Sequence, residues 1–193
     1  MRLYYSRNSP YARIARMAVV EWEIAPVEQI EVVTRAPDNP LLKVSPTARV
    51  PCLVDGERVI GEARTICAYL QSMDADHRST ADWDRIAFES TLTGFLDGLA
   101  VWIRETRRPE DYRSSAVIEH ERAKTLRCLE WLDGRVASPR GTALDFGDMT
   151  LVSALHVMEF NRLVPDWQSG HPVLGNWLDQ LEGRPSVSTT QPR

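Results

Sequence analysis

Ser9 stands directly before Pro10, and that pair sets a hydroxyl at the mouth of a helix. Proline suits the first helical position because its missing N–H would have no intrahelical partner there. Serine suits the residue before it, as a cap. The Ser9 hydroxyl and the free N–H groups of the helix start therefore converge on one spot, which favours a negative charge. The plain alternative is that Ser9 only caps the helix, and a cap and an anion donor are not exclusive. Ser6 is the rival donor, while Tyr4 and Tyr5 fall within a strand pattern and read as packing residues.

The other reactive residue types form no constellation. Cys52, Cys67 and Cys128 are widely spaced, without the CxxC pair of a redox or zinc site, and read as reduced packing residues. His77, His120, His156 and His171 lack HxxxH spacing, so no metal site is expected. Asp145 and Asp148 have the spacing of an acidic capping box, with Leu144 and Met149 at the staple positions, and this marks a helix start.

The elements that must position Ser9 follow from periodicity. Residues 2–5 are short, aromatic and strand-like. Tyr11, Ile14, Ala15, Ala18, Val19 and Trp22 mark one face of a helix over 10–22. A strand follows at 27–33, and two parallel strands joined by that helix make a right-handed crossover. A proline-rich loop over 36–51 leads to a hairpin over 51–60, signalled by Asp55-Gly56. Ala63, Ile66, Cys67 and Leu70 then predict a helix over 62–73.

Residues 74–80 are polar and aperiodic, as a linker would be. Beyond them the pattern is helical throughout. Phe88, Leu92, Phe95, Leu96, Leu99, Trp102 and Ile103 mark a long helix that Pro109 ends. Ile118, Leu126, Leu129, Leu132 and Val136 mark a second, broken by Ser138-Pro139-Arg140-Gly141.

Composition narrows the class of function. The chain has 193 residues, 43% of them hydrophobic, enough for one large or two small domains. A formal charge of −4 supplies no basic stripe, so nucleic acid is not an expected partner. No apolar run is read as reaching the roughly 20 residues that cross a bilayer, and no signal peptide opens the chain. The expectation is a cytoplasmic protein with no membrane partner.

Four stretches in this order resemble bacterial cytosolic glutathione S-transferases. They are Leu3 to Arg13 (LYYSRNSPYAR), Val44 to Leu53 (VSPTARVPCL, similar to the family's NPxGKVPxL), Ile60 to Ile66 (IGEARTI, similar to ESxxI) and Asp145 to Met149 (DFGDM). The ending from His171-Pro172 through Trp177 to Arg184-Pro185-Ser186 is also similar. The resemblance implies an α/β thioredoxin-like N-terminal domain of order β-α-β-α-β-β-α followed by an all-α helical bundle. The expected division is residues 1–74 holding glutathione, a linker over 75–80, and a helical domain over 81–193.

It also implies roles. Glutathione's thiol must become a thiolate to attack an electrophile, and an ordinary thiol with a pKa of about 8.5 is mostly protonated at neutral pH. By resemblance, the spot at Ser9, Pro10 and Tyr11 is where that sulfur lies, with serine as hydrogen-bond donor and not as nucleophile. Val50-Pro51 is similar to the family's cis-proline turn, which pairs with the cysteinyl part of glutathione. Arg49 stands where the family often has lysine, facing the glycyl carboxylate or else solvent. Glu62 faces the γ-glutamyl amine, and Ala63 replaces the usual serine, a loss of about 1.5–3 kcal/mol of hydrogen bonding unless Arg64, Thr65 or water substitutes.

Asp97 resembles a residue that crosses to the partner's glutathione in related dimers, and otherwise faces solvent. Trp102 and Ile103 either line an apolar pocket for the second substrate or belong to the core. The implied activity is conjugation of glutathione, as co-substrate, to a small electrophile by a homodimer with no permanently bound cofactor. Alternatives are a glutathione-dependent disulfide reductase or isomerase, which usually has cysteine at the Ser9 position, and a non-catalytic binding or scaffold protein.

Overall fold

Side chains alternate along the first strand, β1 (Arg2–Tyr5), so Leu3 and Tyr4 point to opposite faces of a sheet, and both are buried. The computed structural model describes residues 1–24, 26–73, 82–136 and 142–193. The linker expected over 75–80, with His77, and the break at 138–141 lie outside the described residues.

After β1 come α1 (Pro10–Glu21), β2 (Glu28–Glu31), β3 (Cys52–Asp55), β4 (Arg58–Gly61) and α2 (Ala63–Gln71). The sheet order is β2-β1-β3-β4, with β1 parallel to β2 and antiparallel to β3, and β3 antiparallel to β4. Leu3 pairs with Leu53 and Leu53 with Ile60, and this face packs on Ile14, Ala18, Ile66 and Leu70 of the two helices. Tyr4, Cys52 and Val54 line the other face under Val32 and Leu41.

Two details differ from the sequence reading. The second helix of the expected order is a four-residue 3-10 turn, Pro40–Lys43, in which Leu41 alone is buried, because the proline loop has too short an apolar pattern for a longer helix. The hairpin register pairs Asp55 with Arg58, so the two loop residues are Gly56 and Glu57, and Gly56 supplies a φ of +59°.

The second half is helical: α3 (Trp83–Thr106), α4 (Ser115–Asp133), α5 (Phe146–Phe160), α6 (Trp167–Gly170), α7 (Pro172–Asp179) and α8 (Pro185–Ser188). The capping box forms as read, with Asp145 accepting from the Asp148 N–H and Asp148 accepting in return from the Asp145 N–H. Twelve of the fifteen residues of α5 are buried, and it packs against both α3 and α1.

By length and composition α3 could cross a membrane, with a mean hydropathy of 1.3 over its best window, which departs from the reading that no run is long enough. Its apolar side chains Leu92, Phe95, Leu96, Leu99, Trp102 and Ile103 are buried against the rest of the chain. Each contributes about 1.5–3 kcal/mol relative to exposure.

The halves are joined at α1. Trp22 Nε1 donates to the Leu144 carbonyl at 3.0 Å, and Ser153 Oγ on α5 donates to the Pro10 carbonyl at 2.7 Å. The Glu21 carboxylate accepts from the Leu144 N–H, from Arg184 and from Ser186 Oγ. Arg13, almost fully buried, donates to Thr190 Oγ1 and the Val187 carbonyl.

Candidate functional site

Ser9 is the N-cap of α1 in extended backbone geometry, and its Oγ accepts from the Ala12 N–H at 3.2 Å. Its own hydrogen has no acceptor among the described residues. The helix start offers fewer donors than its sequence suggests. Pro10 has no N–H, that of Ala12 goes to Ser9 Oγ, and that of Arg13 goes to the Ser9 carbonyl at 3.0 Å. The Tyr11 N–H is left open beside the Ser9 hydroxyl, so two donors converge where the helix dipole favours an anion.

The rivals are placed differently. Tyr4 is buried in the sheet core, and Tyr5 lies under the Arg16 guanidinium, 4.2 Å from its ring centroid. Ser6 accepts the Ser9 N–H at its carbonyl, closing the turn that leads into the helix. Asn8 Oδ1 accepts from the Arg193 N–H at 3.0 Å, which ties this turn to the far end of the chain.

Val50-Pro51 is a cis peptide bond, as the motif implied. No backbone partner of Val50 is found among the described residues, so its N–H and carbonyl are open at the end of β3. Arg49 is exposed and has no carboxylate within 4.0 Å among the described residues.

Glu62 is the N-cap of α2 at a φ of 72°, a conformation that costs about 1–3 kcal/mol in a non-glycine residue. Its carboxylate accepts from the Arg64 N–H at 2.9 Å, the Thr65 N–H at 3.1 Å and Thr65 Oγ1 at 3.2 Å. Thr65 is thus engaged with Glu62. Arg64 turns away to Glu89 at 2.5 Å and lies over the Phe146 ring, so neither side chain replaces the hydroxyl that Ala63 lacks. The Ala63 N–H stays open at the helix start.

Asp97 on α3 is exposed, and it accepts a hydrogen bond from the Tyr11 phenol of its own chain at 2.5 Å. Burial, and then this bond, push the phenol well above its ordinary pKa, so Tyr11 stays a donor at neutral pH. The sequence carries no signal for this pairing, since the residues are 86 positions apart.

Trp102 and Ile103 are 5% and 6% exposed and belong to the main core, which is the packing alternative of the sequence reading. Burial also pushes the Cys67 and Cys52 thiols above their usual range, and neither lies at a helix start. A cleft of about 390 Å³ does open in the helical half, between Phe88, Trp131 and Trp177. None of the residues named for the Ser9 site lines it, and the open donors at Ser9, Tyr11, Val50 and Ala63 are the stronger guide to chemistry.

Residues 3–78 match the family model for the glutathione S-transferase N-terminal domain. An uncharacterised GST-like protein of Escherichia coli (strain K12), YibF, is 25% identical, with 100% of this chain and 98% of that protein covered. The glutathione S-transferase of Methylobacillus flagellatus KT, solved with glutathione bound, superposes with a TM-score of 0.89 at 25% identity over 100% of this chain and 99% of that one. That of Methylobacterium radiotolerans JCM 2831, in complex with glutathione sulfonate, gives 0.85 at 24% identity over 99% and 94%. With the thioredoxin-like sheet, the helical region and the donors at α1, these likenesses lead to one conclusion: residues 3–78 match the N-terminal domain of glutathione S-transferases, and the chain as a whole has the fold of bacterial proteins of that kind.

Proposed function

We propose that this protein is a glutathione transferase in which Ser9 donates a hydrogen bond to the glutathione thiolate, which then attacks a small electrophile. The observation that carries this reading is the pair of open donors, the Ser9 hydroxyl and the Tyr11 N–H, at the start of α1. Donors fixed in advance around a developing or resting anion stabilise it without reorganisation, and holding both reactants together supplies much of the remaining acceleration. Glutathione lies along the open backbone of Val50, its glycyl carboxylate toward Arg49. Its γ-glutamyl part meets Glu62 and the Ala63 N–H. A similar protein solved with glutathione bound supports glutathione as the co-substrate.

The reading assigns residues 1–74 to glutathione and 81–193 to the helical domain. It takes the protein as a cytoplasmic homodimer with glutathione as co-substrate and no resident cofactor. Disulfide chemistry is disfavoured because serine occupies the helix start and Cys52 and Cys67 are buried. A scaffold without turnover draws its support from Ala63.

Retention on immobilised glutathione and turnover with 1-chloro-2,4-dinitrobenzene test the proposal together. Ser9→Ala is expected to lower kcat on the order of 100-fold, as removal of one anion-stabilising donor does. A fully active Ser9→Ala protein would reject the donor role, and a folded protein that passes through the resin would favour the scaffold.

A further inference from the structure

The face of α3 that meets the Ser9 site is polar. Asp97 and Arg104 are seven residues apart, two turns along one side of the helix, with half-buried Val101 between them. Asp97 is occupied by the Tyr11 phenol. Arg104 curls back along the helix, its Nε donating to the Ala100 carbonyl at 3.0 Å, which draws the guanidinium toward Asp97 and Tyr11. No carboxylate lies within 4.0 Å of Arg104 among the described residues, so its guanidinium has room for a ligand. Trp102 and Ile103, the apolar residues of this turn, face the core instead.

We propose that the second substrate is a small electrophile carrying a carboxylate, bound through Arg104 beside the Tyr11–Asp97 pair, an inference that rests on the glutathione reading above. Arg49 from the proline loop and Arg104 from α3 both stand near enough to the Tyr11 phenol to act on its charge. Glutathione's glycyl carboxylate answers Arg49, which leaves the Arg104 fork for an acid on the acceptor. Guanidinium matches a carboxylate with two parallel N–H donors, so it selects shape as well as charge. The Asp97 carboxylate accepts from Tyr11 and makes no ion pair with Arg104, so the guanidinium fork is left to the substrate.

The test compares 4-chloro-3-nitrobenzoate with 4-chloro-3-nitrobenzamide. In both, the thiolate sulfur bonds to the ring carbon, the C–Cl bond breaks, chloride leaves with the electron pair, and the thiol proton has gone to solvent. With each kcat/KM divided by its uncatalysed rate constant, the acid is expected to be favoured by about tenfold, mainly through KM, and less at high salt. Arg104→Gln should bring that ratio to within about twofold of unity and Arg104→Lys should keep part of it, while Arg122→Gln on α4 should leave it as it was. Calorimetry of the two S-aryl glutathione conjugates should show the same preference without turnover.

A wild-type ratio near one, or a ratio that survives Arg104→Gln, overturns this inference while turnover of the amide leaves the glutathione reading intact. Absence of both turnover and conjugate binding overturns the glutathione reading, and this inference with it.

Discussion

At residue 63 a methyl group stands where the ESxxI motif that this segment resembles has a serine, and the two nearest substitutes are engaged elsewhere, Thr65 with Glu62 and Arg64 with Glu89. Ala63→Ser is therefore expected to tighten glutathione by roughly tenfold in a calorimetric titration, the value of one hydrogen bond to a charged group. An unchanged affinity would mean that the open N–H groups already satisfy the ligand. At this scale the sequence was readable where chemistry is local. Ser9-Pro10 announces a capped helix with a donor at its mouth, and the structure leaves that donor open. It was unreadable where the partner is distant. The Tyr11–Asp97 bond and the Arg64–Glu89 pair join residues from different elements, and nothing in the spacing of either segment points to the other.

Among elements, the short-range signals carried furthest. The box of Asp145 and Asp148 needs only an interval of three residues, and α5 begins there as read. The facing of Trp102 and Ile103 was ambiguous because α3 is covered on one side by α4 and on another by α5, so apolar residues recur around much of its circumference. The seam at α1 supplies a stability test. Burial pushes the Glu21 carboxyl upward, but hydrogen bonds from Arg184, Ser186 and the Leu144 N–H outweigh it and hold the group below its ordinary range. Its folded pKa lies under the unfolded value of about 4.3, so its contribution is present above that pH and fades as pH falls toward the folded value. Glu21→Gln should cost on the order of 2 kcal/mol in urea unfolding at pH 7, and the gap to wild type should narrow below about pH 4. A gap that is constant with pH would show that the carboxylate charge contributes nothing to the seam.

For the whole molecule, two copies related by a two-fold axis are expected, the commonest symmetry of soluble oligomers. Sedimentation equilibrium at micromolar concentration should give twice the 21.9 kDa chain mass, and a single-chain mass would contradict it. The overall architecture was legible because the order of strands and helices needs no long-range pairing to read. The substrate side was not, since it depends on which residues of α1 and α3 meet, as Tyr11 and Asp97 do. The state of the bound sulfur is read most directly from the ultraviolet absorbance of the thiolate as pH is varied, on the protein saturated with glutathione. Bound glutathione is expected to ionise about two units below the free thiol in the wild type, and Ser9→Ala is expected to remove most of this shift. Equal ionisation of free and bound glutathione in the wild type, or the same shift in Ser9→Ala, would contradict this.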